Sequence, residues 1–407
     1  MKIVLNKEKI YNYFFAFCVI IPFFNNYEIS FLCWVVAAIL TIKKSYSVEF
    51  LKYVSIFVSI LLFAIIVGFF YEHNLYFVIR DITYLLKPIL GLILGYQFYK
   101  KEIHSPFQFL LKAGILMAII HLMLVGYGIF YHGARAVSAI RQYGGYFNDY
   151  EIYTLIILIF HKRLGLNIES KKYLTFMAIL GLSSFFYLAR TNFIQFIILF
   201  FAMKEWLKLT PKSLSVLSAL FIFSSLTYTA IYQYNPKRNG NSFDEFLYKV
   251  KMIPLEAFAT KINRDDWRDF HDHYRSYENV RTVEQLSYNN SYLFGEGVGS
   301  QVNLKQKVYL GDMFLQRISI LHNGYMTVLL KSGIVGLVLL LISIFYFFKK
   351  FSVINTADKN INLFFVGTGL FLFISYWVFL GFYNLLDSKT ILIGFLFAYK
   401  NQIQKQE

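Results

Sequence analysis

Residues 322–350 read HNGYMTVLLKSGIVGLVLLLISIFYFFKK. From Ser332 to Phe348 the stretch holds 17 uncharged residues, closed off by Lys331 on one side and by Lys349 and Lys350 on the other. At ~1.5 Å per helical residue such a run crosses most of a hydrocarbon layer about 30 Å thick. A surface helix of a soluble domain shows one polar face. This run is apolar all round, and lipid is the solvent that suits it. Counting outward from Lys349 puts Lys331 near the far membrane surface and His322 two to three turns above it.

The rest of the chain repeats the pattern. With 57% hydrophobic and 16% charged residues among 407, there is more apolar surface than a single water-soluble core would hide. Apolar runs recur at 10–24, 28–42, 51–71, 75–98, 107–131, 148–161, 173–189, 191–203, 213–233, 323–348, 362–383 and 388–399. The first follows a basic start, Lys2, Lys7 and Lys9, but lacks a small-residue cleavage site, so it reads as a retained helix. The expectation is an all-α polytopic membrane protein of about twelve transmembrane helices. Residues 1–233 hold helices 1–9, residues 234–319 form one large extracytoplasmic loop subdomain, and residues 320–407 hold helices 10–12.

Charge orients the chain. Of the 40 Lys and Arg, 21 fall in every second connection, whereas the short connections between them carry only Arg135, Arg141, Arg190 and Lys389. By the positive-inside rule the basic connections and both termini face the cytoplasm. The net charge of +16 therefore reports topology rather than nucleic-acid binding. The long loop is nearly neutral, 12 Lys or Arg against 11 Asp or Glu, with an amphipathic stretch around Phe243 to Phe258. A loop of that length usually carries function. Cys18 and Cys33 sit in apolar runs, no zinc spacing occurs, and no cofactor is expected.

Ionised groups at membrane depth cost at least ~2.5–3.5 kcal/mol and are rarely kept without use. Arg80 and Lys87 lie seven residues apart on one face of the fourth span, where both look into a cavity; alternatively Arg80 snorkels and Lys87 pairs with Asp81 or with a broken-helix carbonyl. Arg190 in LARTNF and Arg135 and Arg141 in GARAVSAIRQYGGYFND put three guanidiniums at phosphate depth on the outer side. They suit either a lipid-linked diphosphate or ordinary lipid headgroups. In SYLFGEGVGS, Gly295, Gly297 and Gly299 are neither a P-loop nor a dinucleotide fingerprint, but they allow close backbone approach. His322 at the outer mouth suits a base for a sugar hydroxyl, against a capping or packing role beside Asn323.

SYLFGEGVGS followed by HNGYMTVLLKSGIVGLVLLL resembles the signature of the bacterial O-antigen ligase and polymerase superfamily. RQYGGYFND is similar to that family's Arg, Gly, Phe, Asn element, with Asn148 and Asp149 in place of its Pro-Asn, and LSSFFYLARTNFIQF resembles its Ser-Arg turn, with Ala189 in place of the serine. The resemblance implies metal-independent, inverting glycosyl transfer from undecaprenyl diphosphate on the outer face of the bacterial cytoplasmic membrane. It implies His322 as catalytic base and Arg141 and Arg190 on the diphosphate; Arg80, Arg135, Gly295, Gly297, Gly299, Asn323 and Tyr325 are further binding candidates. A polymerase of O-antigen or capsule repeat units is the favoured expectation. A ligase to lipid A core and a glycan-lipid flippase are the alternatives. The implied partners are the lipid-linked oligosaccharide donor, a glycan acceptor, membrane lipid, a chain-length regulator and a flippase, and no nucleic acid.

Overall fold

The computed structural model describes residues 7–24, 26–100, 103, 105–135, 137–145, 148–187, 189–207, 210–238, 243–244, 247–248, 250–252, 259–260, 262, 270, 273–310, 313–349 and 353–405. The described residues are all-α apart from one hairpin. Among the described residues the α-helices are α1 Lys7–Ile20, α2 Tyr27–Leu40, α3 Val48–Gly68, α4 Leu75–Phe98, α5 Pro106–Phe130, α6 Val137–Gly144, α7 Asp149–Ile159, α8 Ser170–Phe186, α9 Arg190–Met203, α10 Pro211–Tyr234, α11 Tyr274–Tyr288, α12 Gly324–Phe345, α13 Thr356–Val378 and α14 Lys389–Gln404. Most of the amphipathic stretch expected around Phe243 to Phe258 lies outside the described residues.

Among the described residues five helical segments are long and apolar enough to cross a membrane: Val48–Gly68, Pro106–Phe130, Leu214–Tyr234, Gly324–Phe348 and Thr356–Val378. Shorter apolar helices span Ile10–Phe24, Tyr27–Leu40 and Arg190–Met203. α4 has the length, 24 residues, but carries Arg80, Asp81 and Lys87 inside it.

Polar contacts sort the helix ends into two levels. At one level Glu49 of α3 meets Lys349 beyond α12, Asn401 of α14 reaches the Tyr96 hydroxyl of α4, and Arg163 and Lys359 share Glu205. At the other, the segment before β1 inserts among α3, α4 and α12: the Val298 amide donates to Ala64 O at 3.0 Å, the Gly299 amide to Asp81 Oδ2 at 2.7 Å and the Glu296 amide to Leu330 O at 2.8 Å. This second level is the loop end of the bundle. α4 and α14 pack closely because Gly95 and Gly394 each bring their own backbone against the other helix.

The loop subdomain adds one two-stranded hairpin to the all-α architecture. β1 (Val302–Leu310) pairs antiparallel with β2 (Met313–Ile318), Val302 opposite Ile318 and Leu310 opposite Met313, with a bulge between Asn303 and Val308. Its apolar residues do not form a separate core. Tyr277, Leu286, Val302, Leu304, Ile318 and Leu321 bury themselves together with Leu329 and Leu330 of α12, so the subdomain is seated on the membrane helices.

Candidate functional site

His322 stands two residues before α12, in the turn that Asn323 closes as N-cap by accepting the Met326 amide at 3.2 Å. Its ring meets Glu278 of α11. Nδ1 lies 2.9 and 3.1 Å from the two carboxylate oxygens, and the His322 backbone amide donates to Oε2 at 2.9 Å. The Glu278 side chain is 1% exposed, the His322 side chain 45%. A carboxylate accepts only, so Nδ1 is the donor in this bond and Nε2 is the ring nitrogen left out of it. Tyr274, one turn before Glu278, sets its ring edge-on to the imidazole at 5.8 Å. Burial and the Glu278 charge push the Tyr274 phenol far above its usual range, so it stays neutral. Glu278 carries no signal in the sequence, because in YRSYENVRTVEQLSY it is one acid among many polar residues.

The helix ends that bear Arg190 and Arg141 are connected to this turn through intermediate residues. The Gly324 amide donates to Phe379 O at 3.0 Å, and Phe379 packs on Tyr187 and Ala189 in the turn that leads to Arg190, the first residue of α9. Arg190 is exposed. Tyr187 stacks on His121 at 3.7 Å, and Gly144 and Gly145, which end the short helix of Arg141, pack on His121 and Tyr187. Arg141 is half-buried in the last turn of α6 and Arg135 is exposed before it. Beneath both turns lies a buried network that the sequence reading missed: Tyr187 donates to Glu151 at 2.6 Å, Ser183 donates to the other Glu151 oxygen, and His121 Nδ1 meets Ser183 Oγ at 2.8 Å.

The remaining candidates belong to a second cluster. Asp81 of α4 takes Lys331 Nζ at 2.6 Å and the Gly299 amide, and Lys331 also donates to Ser300 O. Lys331, expected near the outer surface, is therefore 1% exposed within the bundle. The reason is the break in α12 at Gly333, whose φ of +61° receives the backbone of Leu293 and Phe294. Gly295, Gly297 and Gly299 are buried as well. They face Gly333, Gly68 and His73 respectively, so their missing side chains let the loop insert into the bundle. Arg80 lies over the rings of Phe77 (5.0 Å) and Tyr76 (5.9 Å). Lys87 does not share a cavity with it: Lys87 donates to the carbonyls of Asn384 and Asp387, the carbonyl alternative rather than Asp81. Tyr325 is 8% exposed and donates to Phe373 O at 2.9 Å, a packing position. Lys389, counted with the outer connections, is fully buried between Asp149 and Asp387.

No group of three or more His, Cys, Asp or Glu side chains suited to a metal ion occurs among the described residues. No family model, curated protein or solved structure matches the chain.

Proposed function

We propose that the chain is a multi-pass glycosyltransferase of the bacterial cytoplasmic membrane that joins saccharide repeat units carried on undecaprenyl diphosphate, a polymerase of O-antigen or capsule type. In this reading twelve helices cross the membrane, both termini are cytoplasmic and the loop end faces outward. The observation that carries it is the His322–Glu278 pair, a half-exposed imidazole held by a buried carboxylate beside the turn that bears Arg190. Such a pair is the equipment of a general base. Nε2 takes the proton of an acceptor hydroxyl as its oxygen attacks the anomeric carbon of the donor sugar. The bond from that carbon to the diphosphate oxygen breaks, with inversion. The imidazolium that forms is stabilised by Glu278, and Arg141 and Arg190 counter the charge on the departing diphosphate.

The polymerase is favoured over the ligase because the arginine-bearing short connection and the long loop together offer places for two similar lipid-linked substrates. Replacing His322 by Ala in a strain that depends on this chain tests the proposal. The expected result is a normally inserted protein with surface glycan reduced to single repeat units. An unchanged ladder of chain lengths refutes the catalytic base, and polymer left on the polyprenyl carrier identifies a ligase instead.

A further inference from the structure

α9 begins at the loop end without a side-chain cap, since its N-cap is Ala189. Within its first turn, Asn192 is 2% exposed, and neither Oδ1 nor Nδ2 has a hydrogen-bond partner among the described residues. The face it occupies is the inward one. One turn on, Gln195 Nε2 donates to Asp149 O at 3.1 Å, and a further turn on Leu199 packs on Gly367 of α13. Asp149 in turn receives Lys389. Asn192 thus continues a strip of buried polar groups in which Gln195 Nε2, Asp149 and Lys389 are engaged, while Gln195 keeps only its Oε1 unpartnered and Asn192 lacks partners for both ends of its amide among the described residues.

A buried primary amide that makes none of its hydrogen bonds weakens the fold containing it, so its presence calls for a use outside folding. Its chemistry narrows that use. Nδ2 donates and Oδ1 accepts, so a phosphate alone satisfies half of it, whereas a ligand offering an acceptor next to a donor satisfies both halves. A sugar diphosphate has that arrangement, phosphate oxygens beside a hydroxyl or acetamido N–H. Arg190, two residues away at the mouth of the same helix, supplies the countercharge.

We propose that Asn192 binds the junction between the diphosphate and the first sugar of the donor, Nδ2 on a phosphate oxygen and Oδ1 on a sugar donor group. This rests on the donor being a lipid-linked glycosyl diphosphate. The test uses the full chain in lipid nanodiscs with two probes, undecaprenyl diphosphate and undecaprenyl diphosphate bearing N-acetylglucosamine. Asn192→Leu removes an unused amide at similar volume, so its melting temperature should equal or exceed that of the wild type, while affinity for the sugar-bearing probe falls at least tenfold and affinity for the sugar-free probe falls less. Asn192→Ser, which keeps one hydroxyl, should lie between and decides the matter if the Leu variant does not fold. Wild-type affinity for both probes in the variants overturns the proposal while leaving the donor assignment intact, and equal losses for both probes overturn the contact to the sugar. A wild-type chain that binds neither probe overturns the donor assignment and this role with it.

Discussion

Glu278→Gln keeps the shape of the side chain and removes its charge. In the wild type the carboxylate takes the His322 backbone amide at 2.9 Å and lies 2.9 and 3.1 Å from Nδ1, almost wholly shielded from solvent. Hydrogen bonds to a charged group are worth about 1.5–3 kcal/mol. In the proposed reaction the imidazole takes up the proton of the acceptor hydroxyl, so that sum is lost from the transition state rather than from substrate binding, and at 1.36 kcal/mol per decade it is about 10- to 150-fold in kcat. The assay is chain extension by the purified protein in nanodiscs with a synthetic lipid-linked repeat unit, run for Glu278→Gln, His322→Ala and the double variant. KM should stay near the wild-type value in Glu278→Gln, and the double variant should be no slower than His322→Ala, because the carboxylate acts through the imidazole. A Glu278→Gln rate equal to wild type, or losses that multiply in the double variant, refutes the coupling.

Arg190→Lys keeps a charge but not the planar fork, so kcat/KM should drop about tenfold or more; an unchanged value reduces Arg190 to a contact for lipid headgroups. Asp81→Asn leaves Lys331 buried without its counter-ion and should cost about 3–5 kcal/mol, read as a lower melting temperature in detergent, whereas adding Lys331→Met should recover most of it. A double variant as unstable as the single one contradicts the account of this pair. Gly297→Ala, at φ +76° against the backbone of Gly68, should fail to give folded protein, while Gly133→Ala, at φ +65° with nothing within 4 Å, should cost only about 1–2 kcal/mol. Comparable yields and melting temperatures for the two would show that the glycine segment does not need its close approach.

The membrane helices were legible because an apolar run is a local signal. α3, α5, α10, α12 and α13 fall within a few residues of the runs that announce them. The short α7 was legible too, although its 11 residues would span only about 16 Å. What escaped was set by partners remote in sequence. Lys331 reads as an interfacial lysine until Asp81, 250 residues earlier, is seen beside it, and Lys389 reads as an outer cation until Asp149 and Asp387 enclose it. The hairpin left a local trace, the alternation of Val302, Leu304, Val308 and Leu310 with polar residues, that was overlooked beside the louder helical signal. In the candidate site His322 stood out through its position at the head of α12, but Glu278 has no signature of its own. Gly295, Gly297 and Gly299 were rightly read as sites of close approach, yet the surface that approaches them belongs to the same chain.

His322 and Glu278 sit 44 residues apart, one at the head of a membrane helix and the other in the subdomain above it. Under the proposed function, exchanging the loop subdomain to change which glycan is handled would divide the chemistry at the graft boundary. A donor loop lacking an acid in register with position 278 would produce a chimera that inserts, folds and retains its histidine, yet has lost the carboxylate that holds that imidazole in place.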